Sequence, residues 1–261
     1  VMRIPIRMIG IATTFFWIFL LAYLISAVYS VKDLHLNFGE PQMSLTTNNQ
    51  MVLSLPIAIT NKGFYNIGFF NVTSEISDAE DFIVAQGSTF VPIIKKGEEV
   101  ITAHDVTISI DDFLQTRQNY LFNDAELKIY VALGLRLAEM IPVQASTNLS
   151  VPWGAPFYNF RLGEPEYAEF SLTQFRVTMP ISFENHAFFD MAGNIQIRMY
   201  NNAGSLVGDA QTAFEAPQHS SYNGFVEFYV LTSEMPLSGR LEVYFATPLF
   251  SINEPLVILY G

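Results

Sequence analysis

Gly39, Glu40 and Pro41 recur 124 residues later as Gly163, Glu164 and Pro165, and the same spacing relates Pro56 and Ile57 to Pro180 and Ile181, Asn61 to Asn185, and Phe64 to Phe188. Self-similarity at a fixed period means that one folding unit is used twice. A chain of 261 residues with this period holds an N-terminal segment and two units of about 110 residues, each large enough for its own core. One large enzyme fold is excluded. The spacing runs on to Phe90 and Phe214 and then breaks.

Within the repeats the hydrophobic period is two. Leu53, Leu55, Ile57 and Ile59 alternate with Ser54, Pro56, Ala58 and Thr60, and Val177, Met179, Ile181 and Phe183 alternate with Thr178, Pro180, Ser182 and Glu184. Each run predicts a strand with one buried face. Proline donates nothing to a ladder, so Pro56 and Pro180 predict an edge strand or a bulge. Later strands, around Leu127 to Leu133 and Leu241 to Phe245, are related by 114 residues, so the second copy is shorter by about ten. The extra length falls in Ser109–Phe122, where Ser109 with Asp112 resembles a capping box and Ile110, Phe113, Leu114 and Leu121 share a face. This predicts a short helix in the first copy, shortened or absent in the second. Gly39-Glu40-Pro41 and its copy predict a turn opening each domain. The prolines of Val151–Pro156 predict a stiff link, with Trp153 packed between the domains.

Half of the residues are hydrophobic, 15% are charged, and there are 23 Phe and 12 Tyr, the composition of an aromatic-rich β protein. The fold class predicted is all-β: two tandem antiparallel immunoglobulin-like β-sandwiches preceded by one transmembrane α-helix. The net charge of −12 is dispersed, so it solubilises the surface and repels nucleic acid. The absence of cysteine excludes disulfides, thiolate metal sites and cysteine nucleophiles, and an extracytoplasmic chain without disulfides leans towards a prokaryotic, above all archaeal, envelope.

No residue from Met8 to Val31 is charged, and Ile9–Val28 is long enough as a helix to cross a hydrocarbon layer about 30 Å thick. The run is too long for the core of a cleaved signal peptide. Arg3 and Arg7 precede it, whereas Asp33 offsets Lys32, which predicts a cytoplasmic N-terminus with both repeats outside. The expected domains are 1–31, a stub and transmembrane helix; 32–152, a sandwich with a short helix; and 157–261, a second sandwich.

Candidate chemistry is sparse. His35, His104, His186 and His219 show no ligand spacing, and Asp78, Glu80 and Asp81, or Asp111 with Asp112, lack the pattern of a calcium loop. No nucleophile elbow, phosphate loop or dinucleotide fingerprint occurs, so no catalytic residue, metal site or cofactor is expected. Asn71-Val72-Thr73 and Asn148-Leu149-Ser150 fit the N-glycosylation acceptor pattern, making Asn71 and Asn148 candidate sites.

An N-terminal anchor, a strand ending in Asn, aromatics just after it and a short helix together resemble the late embryogenesis abundant type 2 domain, also called the water-stress and hypersensitive-response domain. Asn61-Lys62-Gly63-Phe64-Tyr65 and Asn185-His186-Ala187-Phe188-Phe189 carry the resemblance, without the proline usual in that family's Asn-Pro-Asn-like corner. It implies immunoglobulin-like sandwiches from about Val31 to Gly261, usually non-enzymatic and often displayed on membranes in plants and archaea. The expected function is an anchored structural or interaction protein, an accessory subunit of a membrane or surface assembly. Its expected partners are membrane lipid and other envelope proteins, met through the helix and the sandwich edges. Two alternatives remain: a lipid or apolar-ligand binding and transfer module, and a pilin-like filament subunit.

Overall fold

A computed structural model of the chain describes residues 6–234 and 238–261, with side chains from Thr13 onward except that of Glu234. Arg3 and the side chain of Arg7 lie outside this description. A helix, α1 (Ile6–Ser30), runs into a 3-10 turn at Val31–Asp33. The segment Thr13–Asp33 is long and apolar enough to cross a membrane. Phe15, Phe16, Trp17, Ile18 and Phe19 are all exposed on it, so over this stretch apolar side chains point outward all round the helix and meet no protein core.

The first copy contains β1 (Leu34–Phe38), β2 (Gln42–Leu45), β3 (Gln50–Asn61), β4 (Ile67–Ser77), β5 (Ile83–Ile94), β6 (Glu99–Ser109), helix α2 (Ile110–Thr116), β7 (Ala125–Leu137) and β8 (Ile141–Trp153). The second contains β9 (Tyr158–Leu162), β10 (Glu166–Ser171), β11 (Gln174–Asn185), β12 (Met191–Asn201), β13 (Leu206–Ala216), β14 (Ser220–Leu231), β15 (Gly239–Ala246) and β16 (Leu256–Tyr260). In the first copy β3 pairs with β6 on one side and with β1 and β2 on the other, opposite a sheet ordered β5-β4-β7-β8. In the second, β11 pairs with β14 and with β9 and β10, opposite a sheet ordered β13-β12-β15-β16. All pairings are antiparallel, and among the described residues none joins the two copies. The all-β architecture with one apolar helix is therefore observed.

Three expectations from the repeat are corrected. Pro56 and Pro180 lie on β3 and β11, which are central strands. The proline carbonyls accept from Gly39 N at 2.9 Å and Gly163 N at 2.8 Å. The absent proline N–H points to that same side, where the neighbouring strand is broken between β1 and β2 or between β9 and β10, so no ladder bond is forfeited. Gly39-Glu40-Pro41 and Gly163-Glu164-Pro165 form this break and do not open the domains. A Cβ on Gly39 or Gly163 would come within 3.0 Å of the proline ring, which explains why the glycine and the proline recur together.

Phe90 and Phe214 are not equivalent. Phe214 is buried and pairs with Gly193, while Phe90 is exposed and pairs with Asn71. A bulge around Phe69 (φ 53°) shifts β4 by one residue. Val72, Ser74 and Ile76 consequently face inward in step with Ile195, Ile197 and Met199, one residue short of the earlier spacing.

The helix falls where expected. Ser109 accepts from Asp112 N at 3.3 Å, and Ile110, Phe113, Leu114 and Leu121 are buried. Among the described residues, the corresponding connection of the second copy holds a 3-10 turn, Thr232–Glu234. Above and below His104 the first sandwich has two apolar clusters. Ile57, Ile59, Ile67, Phe70, Val72, Ile94, Leu135 and Leu137 fill the end nearest α1. The other cluster runs from Ile76, Ile108 and Phe113 through Trp153 and Phe157 into the core of the second sandwich. Between them, buried His104 bonds Ser74 Oγ at 2.7 Å and Thr89 Oγ1 at 3.0 Å. The two copies are thus joined through one apolar core.

Phe157 is the hub of that core, fully buried against Phe183, Phe214, Phe245 and Phe250. Phe157→Ala is expected to lower the urea unfolding free energy by about 3–5 kcal/mol, since it removes a buried ring from a packed site.

Candidate functional site: two docking corners

The repeated asparagine ends β3 and β11, where the chain crosses from one sheet to the other. Asn61 is buried. Its Nδ2 donates to Tyr65 O at 2.9 Å and Ile94 O at 3.1 Å, and its Oδ1 accepts from Gly63 N at 3.1 Å. Asn185 repeats the pattern: Nδ2 donates to Phe189 O and Ala216 O, both at 2.9 Å, and to Pro217 O at 3.2 Å, while Oδ1 accepts from Ala187 N at 3.0 Å. Only a carboxamide supplies both donors and an acceptor in this geometry. Each asparagine closes its own corner and ties it to the end of β5 or β13, so both sheets of the sandwich are locked at that end.

Each corner also receives the preceding segment of chain. In the first copy that segment is the end of α1 and the 3-10 turn after it: Lys62 N donates to Asp33 O at 2.9 Å, and Phe64 N donates to Ser30 Oγ at 2.8 Å. Ser26 Oγ and Tyr65 OH lie 2.7 Å apart, and Tyr23 packs edge-on against Tyr65 with ring centroids at 5.6 Å. Ala27 and Ser30 are buried. A Cβ at position 63 would lie 2.2 Å from Ser30 Oγ, so Gly63 is what lets the helix approach. The helix is packed onto the sandwich, with no linker between them.

In the second copy the segment is the interdomain link. His186 N donates to Ala155 O at 3.0 Å, matching the bond from Lys62, and a Cβ on Gly154 would collide with His186 O at 1.9 Å. Ala155 N donates to Asp124 Oδ1 at 2.8 Å, and Phe157 N to Leu121 O at 2.8 Å. Trp153 is buried against residues of the first copy. Its Nε1 donates to Tyr120 O at 2.8 Å, and its ring stands edge-on to Phe113. Phe122 reaches across to Phe245, with centroids 5.7 Å apart. Asp111 Oδ1 accepts from Ser251 N at 3.1 Å, which adds a polar tie beside the aromatic one.

His186 bridges the copies: Nδ1 lies 2.7 Å from Asp124 Oδ2 of the first, and Nε2 lies 3.0 Å from Glu184 Oε2 of the second. Tyr158 stacks on the imidazole at 4.2 Å. Burial pulls the His186 pKa down, but the hydrogen bonds and charges of Asp124 and Glu184 outweigh it and the net direction is upward. The opposite holds for His104, where burial is the leading cause and lowers the pKa.

Of the remaining residues singled out in the sequence, His35 pairs with Thr60 on β1, and His219 occupies a turn with φ 55°. Asp78 is buried, accepts from Glu80 N and Phe82 N, and lies 3.2 Å from Arg117 Nε; Glu80 also meets Arg117, at 2.8 Å, and Asp81 meets Lys128 at 2.7 Å. Asp78 and Glu80 hold their loop to Arg117 at the end of α2 and Asp81 holds it to β7, and no metal-binding group of three ligands occurs among the described residues. The two acceptor asparagines share the outer face of one sheet, on strands separated by β7. Asn148 is exposed opposite Tyr130, while Asn71 is half-buried with its amide over Gly134. Sequence reasoning missed the link between Asp124 and His186, because the partners are far apart in the chain and neither belongs to a motif.

No family model and no curated protein matches this sequence. Among solved structures, a red sea bream transglutaminase aligns at 13% identity and TM-score 0.31, over 87% of this chain and 31% of its own length. The putative ApaA protein from Bordetella pertussis aligns at 13% identity and TM-score 0.30, over 47% of this chain and 95% of its own. The chain spans about a third of the transglutaminase it matches. These likenesses carry no functional assignment.

Asn185→Ala leaves buried carbonyls unpaired and is expected to cost about 3 kcal/mol in urea unfolding. For His186, whose folded pKa is raised, the stabilisation is complete below about pH 6.5 and is lost as pH rises through the folded value. His104 has the opposite sign: its contribution holds above about pH 6.5 and is lost as pH falls through its depressed folded value. Urea titrations across this range should therefore show that His186→Gln removes a loss of stability on the alkaline side, while His104→Val removes one on the acid side.

Proposed function

We propose that this chain is a non-enzymatic, membrane-anchored structural or interaction protein, a stiff stalk of two sandwiches that holds a docking surface at a fixed distance from the bilayer. One observation carries the proposal: α1 is packed into the first asparagine corner, and the first sandwich is packed into the second corner in the same manner. A chain built to be cleaved from its leader, or to swing on a tether, gains nothing from such packing. Arg3 and Arg7 favour an N-terminus in the cytoplasm and sandwiches outside, in a cell envelope that is archaeal on the composition argument. The resemblance to late embryogenesis abundant type 2 domains belongs to the same proposal and rests on the two Asn-aromatic corners.

A surface suited to a protein partner is β8. Residues Pro142 to Ser150 are exposed, none is charged, and the strand is an outer one of its sheet. Edge strands usually carry charge that discourages pairing. An added strand from another subunit would be accepted here by backbone bonds. Sugars on Asn71 and Asn148 would share the adjoining face. Apolar-ligand transfer has less support, since the cavity enclosed between the sheets, lined by Met43, Met51, Leu53 and Trp153, is about 20 Å³, roughly the space of one water molecule, and the roomier apolar hollow over Phe69, Phe90, Leu135 and Val143, about 300 Å³, is an open surface groove. A pilin-like fibre would need the packed end of α1 to serve a filament core as well.

Native extraction followed by crosslinking and sizing tests the role. A stable neighbour crosslinked through β8 is expected, whereas a lone monomer under gentle extraction would sink it. Stiffness has its own readout: spin labels on the two sandwiches in a lipid disc should give one narrow distance distribution, and a broad one would argue for a tether.

A further inference from the structure

We infer that the end of the first sandwich nearest α1 is seated in the headgroup layer of the membrane, with Phe64 and Met140 in the bilayer surface and a lysine-rich collar on anionic phospholipid. The inference rests on the anchored reading of α1 and adds which protein surface the lipid touches.

The geometry follows from the strand directions. Three connections gather at this end: 62–66 between β3 and β4, 95–98 between β5 and β6, and 138–140 between β7 and β8. They surround the end of α1, because Leu34 pairs with Asn61, Ile67 pairs with both Ile94 and Leu137, and Leu137 pairs with Ile141. Contact with the helix extends well back from its last residue. Tyr23 OH reaches Met140 Sδ at 3.6 Å, and Ser26 meets Tyr65. Seven residues separate Tyr23 from Ser30, which at helical rise is about 10 Å. Tyr23 belongs to the apolar segment Thr13–Asp33, so whatever lies beside Tyr23 lies at or below the level where that segment leaves the hydrocarbon.

The side chains there suit that depth. Phe64 is 60% exposed and Met140 71% exposed. Their exposure is informative because the second copy supplies a control: Phe188, the repeat counterpart of Phe64, is half-buried and packs against the interdomain core. The same corner residue is covered by protein where a sandwich precedes it and is left open where the helix precedes it. The cover for Phe64 is then the medium that surrounds the helix.

Charge points the same way. The chain carries −12 overall, yet Lys32, Lys62, Lys95, Lys96 and Arg136 cluster around this end. Four carboxylates, Asp33, Glu98, Glu99 and Glu139, stand against these five cations, so this end is slightly positive on a strongly acidic chain, and two of the four are engaged within the loops: Glu98 Oε2 accepts from Lys95 N at 2.8 Å, and Glu139 Oε1 accepts from Asn66 Nδ2 at 3.0 Å. Exposed aromatic and thioether groups ringed by lysine are the arrangement expected of a surface in contact with anionic headgroups.

The absence of cysteine permits nitroxide labels at chosen sites on the full chain. Labels at Phe64→Cys, Met140→Cys, Phe19→Cys and Leu172→Cys are compared in lipid discs of phosphatidylcholine with and without phosphatidylglycerol, by power saturation with oxygen and a water-soluble nickel chelate. Phe19 reports the helix, and Leu172, fully exposed between β10 and β11, reports bulk water. The oxygen-to-nickel accessibility ratio at positions 64 and 140 is expected to exceed that at 172 several-fold, and to fall in discs without phosphatidylglycerol or when Lys62, Lys95 and Lys96 are changed to Glu. Water-like ratios at 64 and 140 with a lipid-like ratio at 19 would overturn the seating alone. A water-like ratio at 19 as well would overturn the anchored reading beneath it. Ratios at 64 and 140 that ignore both lipid charge and the lysine changes would overturn the role of the collar.

Discussion

The carboxamides of Asn61 and Asn185 hold the rest of the structure in place. Each sits at the point where the chain leaves one sheet for the other, and each satisfies several backbone groups that would otherwise be buried without partners. Unpaired backbone groups in a dry interior are among the most expensive defects a fold can carry. Fixing the corner also fixes the presentation of residues 62–64 and 186–188, whose backbone then grips whatever segment precedes the sandwich. One device therefore performs two docking tasks, helix on sandwich and sandwich on sandwich.

What fills the space around each corner differs, and the difference sets the character of the two ends. At the upper corner the gap is filled by aromatics from both copies, Phe122, Trp153, Phe157 and Phe245, so that two domains share an interior. Polar bonds through Asp111, Asp124 and His186 give direction to that contact. At the lower corner small and hydroxyl-bearing residues, Gly63, Ser26, Ala27 and Ser30, let a helix lie close. The layer of His104, Ser74 and Thr89 separates the two apolar clusters of the first sandwich. In the second sandwich the position opposite the equivalent strand residue is taken by Val226, paired with Met179 as His104 pairs with Leu55, and the core there continues unbroken.

Much of the fold was legible because its causes are local or periodic. Alternation in β3 and β11, the cap at Ser109 and the uncharged helix each depend on neighbours within a few residues. The candidate site was only half legible. Asn61 and Asn185 stood out through repetition, but nothing near them in sequence names Ile94, Ala216 or Pro217 as partners. Pro56 and Pro180 misled for a related reason: a local rule assigns proline to an edge, while the actual accommodation lies in a break of the neighbouring strand, seventeen positions earlier, at Gly39 and Gly163. The bulge at Phe69 likewise leaves no composition signal, so the spacing relates Phe90 to Phe214 although the two face opposite ways.

The sequence by itself determined that a β-rich unit occurs twice behind an apolar helix, because periodicity and duplication are properties of the chain order. Tertiary structure alone decided that helix and sandwiches form one packed body, that Asp124 meets His186, and that Phe64 stays open where Phe188 is covered. Those outcomes depend on which distant surfaces come into contact. Contacts of that kind arise from register, crossing and close approach in three dimensions, none of which is written into the spacing of residues along one.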